Sequence, residues 1–136
     1  MGFVFCLLKL SQKKGYTLTI QQLIDTCDAK NGATKEFPFD DTSLVFKVMG
    51  KMFALVNLEP PHGITLKCDP VYAVALRHKY KSVRSGYYMN KKHWNTVDLD
   101  GDVPDKELGE WISDSYELVV AGLTRAQKQK LAESEK

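Results

Sequence analysis

Leu44-Val45-Phe46-Lys47-Val48-Met49-Gly50-Lys51-Met52-Phe53-Ala54-Leu55-Val56 is the stretch on which the fold turns. Two runs rich in β-branched and aromatic residues flank a glycine, the pattern of a hairpin whose tight turn needs positive φ. With Gly50 and Lys51 as the central turn residues, Val48 is expected opposite Phe53 and Phe46 opposite Leu55. Those four then form an apolar face that packs on helices. Period-two alternation sends Lys47, Met49, Met52, Ala54 and Val56 to the other face. Pro60-Pro61-His62-Gly63 reads as the next reversal, after which Ile64, Leu66 and Cys68 match the core parity. Thr65 and Lys67 accordingly point outward with Lys47, so the open face presents two lysines, with Lys51 at the hairpin tip.

Helix signals bracket this sheet. Upstream, Thr19 and Gln22 form a capping box, with Leu18 positioned to staple onto Leu23. Ile20, Leu23, Ile24 and Cys27 then recur at helical spacing until Asn31-Gly32. Cys27 therefore reads as a packing residue rather than a nucleophile. The stretch up to Ser43 reads as a loop anchored by Phe37 and Phe39. Downstream, Asp69-Pro70 opens a second helix, Asp69 as its N-cap and Pro70 at its first position. Tyr72, Ala73, Leu76 and Tyr80 give its inner face. Arg77, His78, Lys79 and Lys81 crowd its C-terminal end, where cations complement the helix dipole.

Residues 84–99 read as another hairpin, turning through Asn90-Lys91-Lys92-His93 with Tyr88 and Trp94 beside the tip. Asp98, Asp100 and Asp102 alternate, but Gly101 and Gly109 fall at the wrong places for a calcium loop. From Pro104 a long helix is expected, with Leu108, Trp111, Ile112, Ser115, Val119, Gly122 and Leu123 on its buried face. Its small residues, Ser115 and Gly122, allow close approach to the sheet. Residues 124–136 read as a polar helical tail that frays, and residues 1–18 as an N-terminal extension of open role.

The 136 residues suit one domain, and an apolar fraction of 43% excludes a disordered chain. Three cysteines without C-x-x-C spacing argue against a disulfide scaffold or a zinc ribbon and fit a reducing cytoplasm. The apolar run at residues 3–8 is far shorter than the ~20 residues of a membrane span. No basic segment precedes it as in a secretory signal, so it reads as a segment docked on the core. Charge is segregated: residues 44–95 carry a net of +7 and residues 96–136 a net of −5, within an overall +2. Such a block suits an anionic partner, and it equally suits lysines that keep strand edges soluble.

Catalytic motifs are missing. There is no G-x-S-x-G elbow, phosphate loop, dinucleotide fingerprint or H-E-x-x-H in the chain. The histidines at 62, 78 and 93 stand in no metal-site spacing to the cysteines. No enzyme activity, metal or cofactor is expected, which leaves a pocket assembled in three dimensions from Cys68, His93 and Trp94 as the enzymatic or small-ligand alternative.

The blocks Val45 to Leu55, Leu66-Lys67-Cys68-Asp69-Pro70, and Gly86 to Val97 resemble, in this order, the MmcQ/YjbR family. Pro38-Phe39-Asp40 before them, and Ser115-Tyr116 with Leu118-Val119-Val120 after them, extend the resemblance over residues 19–123. It implies an α+β fold: a two-layer α-β3-α-β2-α domain whose antiparallel five-stranded sheet packs against helices. It also implies a DNA-binding role through a double-wing motif, at the matching positions Lys47, Lys51, Lys67, Lys91, Lys92, His93 and Trp94. The extension at residues 1–18 departs from the family, whose members begin near the first helix.

The function expected is a small, non-catalytic, bacterial-type cytoplasmic protein that binds duplex DNA through basic hairpin wings, mainly at phosphates. Arg77, Lys79, Lys81 and Arg84 are expected to widen the positive surface. No recognition helix with base-reading residues is evident. Contact with four or five phosphates predicts a slope near −4 for log affinity against log salt. The remaining alternative is a protein-interaction or chaperone-like module, or a homodimer, that uses Met49, Met52, Ala54 and Val56 as an adaptable apolar patch.

Overall fold

In the computed structural model, residues 19–86, 90–99 and 101–134 are described. The apolar run at residues 3–8 and part of the expected second hairpin, residues 87–89, lie outside them. Helix α1 (Ile20–Asp28) starts where its capping box predicts. Thr19 Oγ1 accepts from the Gln22 amide at 3.1 Å, and Gln22 Oε1 accepts from the Thr19 amide at 2.8 Å. Its apolar stripe ends in Leu23 and Cys27, both fully buried. Burial pushes the Cys27 thiol up to about 12, which suits a packing residue.

The segment expected as a loop contains strand β1 (Ala33–Glu36). It pairs antiparallel with β2 (Ser43–Val48), from Ala33 opposite Val48 to Glu36 opposite Val45. Three of its four residues are exposed, so no alternation marks it in sequence. Phe37 and Phe39 are exposed rather than anchored. Asp40 organises the approach to β2 instead, its carboxylate accepting from the Thr42 and Ser43 amides at 3.0 and 2.7 Å.

Strand β3 (Lys51–Asn57) follows through a turn centred on Met49 and Gly50, one residue earlier than expected. Both carry positive φ, 51° and 81°, the backbone of a primed turn. Val48 then faces Lys51 and Lys47 faces Met52, but Phe46 faces Ala54, leaving Phe53 as a bulge. The extra residue inverts the parity beyond it. Ala54 and Val56 therefore join Phe46, Val48 and Phe53 in the core, while Leu55 lies across from Val45 on the second face. Both of these are buried as well.

Strand β4 (Gly63–Lys67) pairs with β3 and leads to helix α2 (Pro70–Lys79), where Asp69 Oδ2 accepts from the Tyr72 amide at 3.2 Å. Strands β5 (Val83–Ser85) and β6 (Trp94–Asp98) form the second hairpin. Helices α3 (Asp105–Ala121) and α4 (Arg125–Glu133) complete the domain. Among the described residues, the antiparallel sheet runs β1-β2-β3-β4-β6-β5, six strands where five were expected, the added one being β1. Leu23 of α1, Leu76 of α2, Ile112 of α3 and Leu131 of α4 share one apolar cluster with Phe46, Ile64 and Val97. Those strand residues lie on one face by register, so the architecture is α+β with helices layered on that face. Each fully buried side chain of Phe or Ile size contributes about 1.5–3 kcal/mol.

Helix α3 is the clamp. Phe53 meets the Tyr116 ring edge-on at 5.3 Å, and Tyr116 donates its hydroxyl proton to the Asn31 carbonyl at 2.6 Å. Ser115, fully buried, donates to the Phe53 carbonyl at 2.6 Å and accepts from the Lys67 amide at 2.8 Å. A side chain this small lets α3 sit close enough to serve two strands. Gly122 has a different role from that expected: it is exposed and caps the helix. The tail is docked rather than frayed, because Thr124 supplies a second capping box and Leu131 is buried against the domain. Among the described residues, no helix is long and apolar enough to cross a membrane.

Candidate nucleic-acid interface

Strand register fixes where the basic residues stand. Lys51 begins β3, Lys67 ends β4 opposite Trp94, and Trp94 begins β6. All three therefore lie at one end of the sheet, the end at which both hairpins turn. The two hairpins flank β4, and three interstrand spacings put their axes roughly 14 Å apart. Lys51, Lys91 and Lys92 are exposed at the tips, while Lys67 is half-buried between them. None of these four side chains forms an ion pair with a described residue. The backbone carbonyl of Asn90 receives the amide protons of His93 and Trp94, and its side chain receives that of Lys92. This fold-back carries Lys91 and Lys92 on its outer side.

Arg77 secures the second tip. Its Nη1 donates to the Lys91 carbonyl at 3.0 Å and to Asn95 Oδ1 at 2.8 Å. Asn95 is almost fully buried, and its Nδ2 donates to the Ala73 carbonyl at 3.2 Å. A polar residue on the core face thus ties α2 to β6 and the hairpin tip. Nothing in the local sequence marks Asn95, since its role depends on α2 passing over it. Residues on the outer side of α2 complete this corner: exposed Val71 and Val74 line a groove with Arg77, Lys91 and Lys92.

Other cations are occupied or placed elsewhere. Lys47 pairs with Glu36 on the edge strand, and Arg84 pairs with Asp98 at 2.7 Å. Lys79 lies over the Tyr80 ring, 5.3 Å from its centroid. Lys81 donates its amide to Asp102 at 2.9 Å, at the end of the sheet opposite the tips. Asp102 also accepts from the Ser82 amide and hydroxyl, at 3.0 and 2.6 Å. These bonds, led by the Ser82 hydroxyl, hold the Asp102 carboxyl down at about 2. The structure therefore brings Lys51, Lys67, Arg77, Lys91, Lys92, His93 and Trp94 to one end, and leaves Lys79, Lys81 and Arg84 outside that group.

Two expected surfaces change. The outer patch of Met49, Met52, Ala54 and Val56 does not form, because the bulge at Phe53 turns Ala54 and Val56 into the core, where both are fully buried. Among the described residues, the cleft that Cys68 lines is not shared with His93 or Trp94. The Cys68 amide donates to the His93 carbonyl at 2.7 Å, yet the thiol lines a cleft on the helix side to which neither His93 nor Trp94 contributes. Strand alternation separates them, since Trp94 pairs with Lys67 and points opposite to Asn95. Burial first, then the charges of Asp69 and Asp114, push the Cys68 thiol up to about 11, so it is a poor nucleophile at neutral pH. Among the described residues, no three metal-ligating side chains cluster.

The same blocks that build the hairpins are matched in known proteins. The YjbR family profile covers residues 28–118, from the end of α1 into α3. The chain belongs to the YjbR family. It is 36% identical over 115 residues to the uncharacterized protein YjbR of Escherichia coli K12, spanning 84% of this chain and 97% of that one. The uncharacterized protein YyaQ of Bacillus subtilis is 27% identical over 116 residues, spanning 74% of this chain and 98% of the relative. Among solved structures, the Deinococcus radiodurans protein DR2400, a DUF419 domain, superposes with a TM-score of 0.78 at 42% identity. That match covers 84% of this chain and 88% of the other. The span matched by the YjbR profile takes in the described strands of both hairpins, β4 between them and most of α3.

Proposed function

We propose that this YjbR domain is a non-catalytic cytoplasmic protein that binds duplex DNA by phosphate contacts from its two hairpin tips. The observation that carries the reading is the placement of Lys51, Lys67, Lys91 and Lys92 at one end of the sheet, without acidic partners among the described residues. An interval of roughly 14 Å between hairpin axes is close to the ~12 Å width of a major groove. Two tips at that spacing reach phosphates on both groove edges. Such contacts position a protein without reading sequence, so weak base preference follows.

Arg77 supports the reading by a different route. Its guanidinium is occupied by two internal acceptors, so it shapes the second tip and contributes field rather than a direct contact. Lys47 and Arg84 are neutralised by their carboxylate partners. Four lysines predict a slope of about −3.6 for log affinity against log salt on B-form DNA. A mobility-shift titration of a 20-base-pair duplex across salt concentrations measures it. No binding at low salt, or a slope near zero, refutes the proposal.

A further inference from the structure

Helix α2 is apolar on more than its buried side. Its opening residues, Pro70-Val71-Tyr72-Ala73-Val74-Ala75, carry no charge, and among them only Ala73 is buried. Ala73 and Leu76 face the core. On the opposite side Val71 is 80% exposed and Val74 46%, with Ala75 and His78 exposed beside them. Positions 71, 74, 75 and 78 keep the i, i+3, i+4, i+7 spacing of a stripe that a helix buries. Among the described residues nothing covers this one.

The stripe is symmetric about its own midpoint. When two such helices pair antiparallel about a two-fold axis, Val71 stands against the second copy's His78 and Val74 against its Ala75, each contact made twice. Ala75 is small and lets the helix axes approach. The same symmetry brings Lys79, at the C-terminal end of one helix, toward Asp69 at the N-terminal end of the other. Both are exposed, and neither forms an ion pair with a described residue. An isologous interface demands a patch that complements itself in this way, and an unrelated partner does not. Lys91 and Lys92 stand across a groove from Val71 and Val74. The pairing needs neither lysine, and it is tested without nucleic acid.

We propose that α2 is the interface of a two-fold homodimer, its two helices antiparallel and crossing over Val74 and Ala75. A contact between ten-residue helices lies at the small end of specific interfaces, so a dissociation constant on the order of 10–100 µM is expected.

Sedimentation velocity of the full chain, freed of nucleic acid, is run from well below to well above that concentration. A monomer passing to a dimer is expected. The variant Val71→Asp/Val74→Asp changes two exposed side chains and leaves the Ala73 and Leu76 anchors intact. Its melting temperature at low concentration is expected to change little, while dimer affinity falls at least about thirtyfold because carboxylates enter the contact. Orientation is read by mixing Val71→Lys with His78→Glu. An antiparallel pair sets the two new charges against each other, so the mixture is expected to dimerise about fivefold more tightly than either variant alone. A chain that stays monomeric throughout overturns the proposal. So does unchanged dimer affinity in the folded double variant or in Val71→Lys, and a mixture no tighter than its components overturns the antiparallel pairing.

Discussion

The two hairpins reach the same end of the sheet by different means. The first is set by backbone geometry: Met49 and Gly50 hold a two-residue primed turn, and the strands are rooted from α3 by the buried Ser115 hydroxyl. The second has a longer tip, folded onto the Asn90 carbonyl and rooted from α2 by the Arg77–Asn95 pair. A short turn needs no side chain to hold it. A longer one does, and here a cation is occupied internally so that two lysines are presented. The contrast separates basic residues that build the surface from those left to act on a partner.

The sharpest way to break the first hairpin is to remove its root. Ser115→Ala leaves the Phe53 carbonyl and the Lys67 amide without their buried partner, a loss of about 2–3 kcal/mol. Urea unfolding measures it, and a loss within error would show that Ser115 does not root the strands. The second hairpin loses its root in Arg77→Ala, which strands Asn95 Oδ1 and the Lys91 carbonyl. About 1–2 kcal/mol is expected, Arg77 being only half-buried. Hydrogen exchange should quicken at residues 90–95 and stay unchanged at residues 44–56. Equal quickening of both would mean that the hairpins are not held independently.

A smaller effect tests the turn itself. Gly50 sits at φ 81°, so Gly50→Ala should cost about 1 kcal/mol, with no change in the second hairpin. The mildest test is pH. Asp102 holds the start of β5, and its folded carboxyl is lowered to about 2 by the Ser82 hydroxyl and the Lys81 and Ser82 amides. A depressed carboxyl stabilises the fold fully above its ordinary value near 4, and that contribution is lost as pH falls from there through about 2. Asp102→Asn should therefore flatten the fall of melting temperature between pH 5 and about 2. Asp40, lowered by the Thr42 and Ser43 amides ahead of β2, acts in the same direction on the first hairpin.

What sequence revealed follows the range of the interactions involved. Thr19 with Gln22, and Asp69 with Pro70, are contacts within one helical turn, and both helices start where these residues say. Strand β1 was not legible because an exposed edge strand carries no hydrophobic period. The bulge at Phe53 was not legible either, since it exists only relative to the opposite strand, and it moved Ala54 and Val56 from a supposed surface into the core. Lys51, Lys91 and Lys92 were visible as tip residues from turn chemistry. Occupation of Arg77, Lys47 and Arg84, and the cleft beside Cys68, depend on elements that meet only in the folded chain.

The central claim is that both tips engage one duplex together. Titration of the isotopically labelled chain with a 20-base-pair duplex at low salt, followed through backbone amide shifts, tests it directly. The account predicts shifts around residues 49–52 and 90–94 that saturate at the same duplex concentration, with α4 unaffected. Shifts confined to one hairpin, shifts centred elsewhere, or no shifts would contradict it.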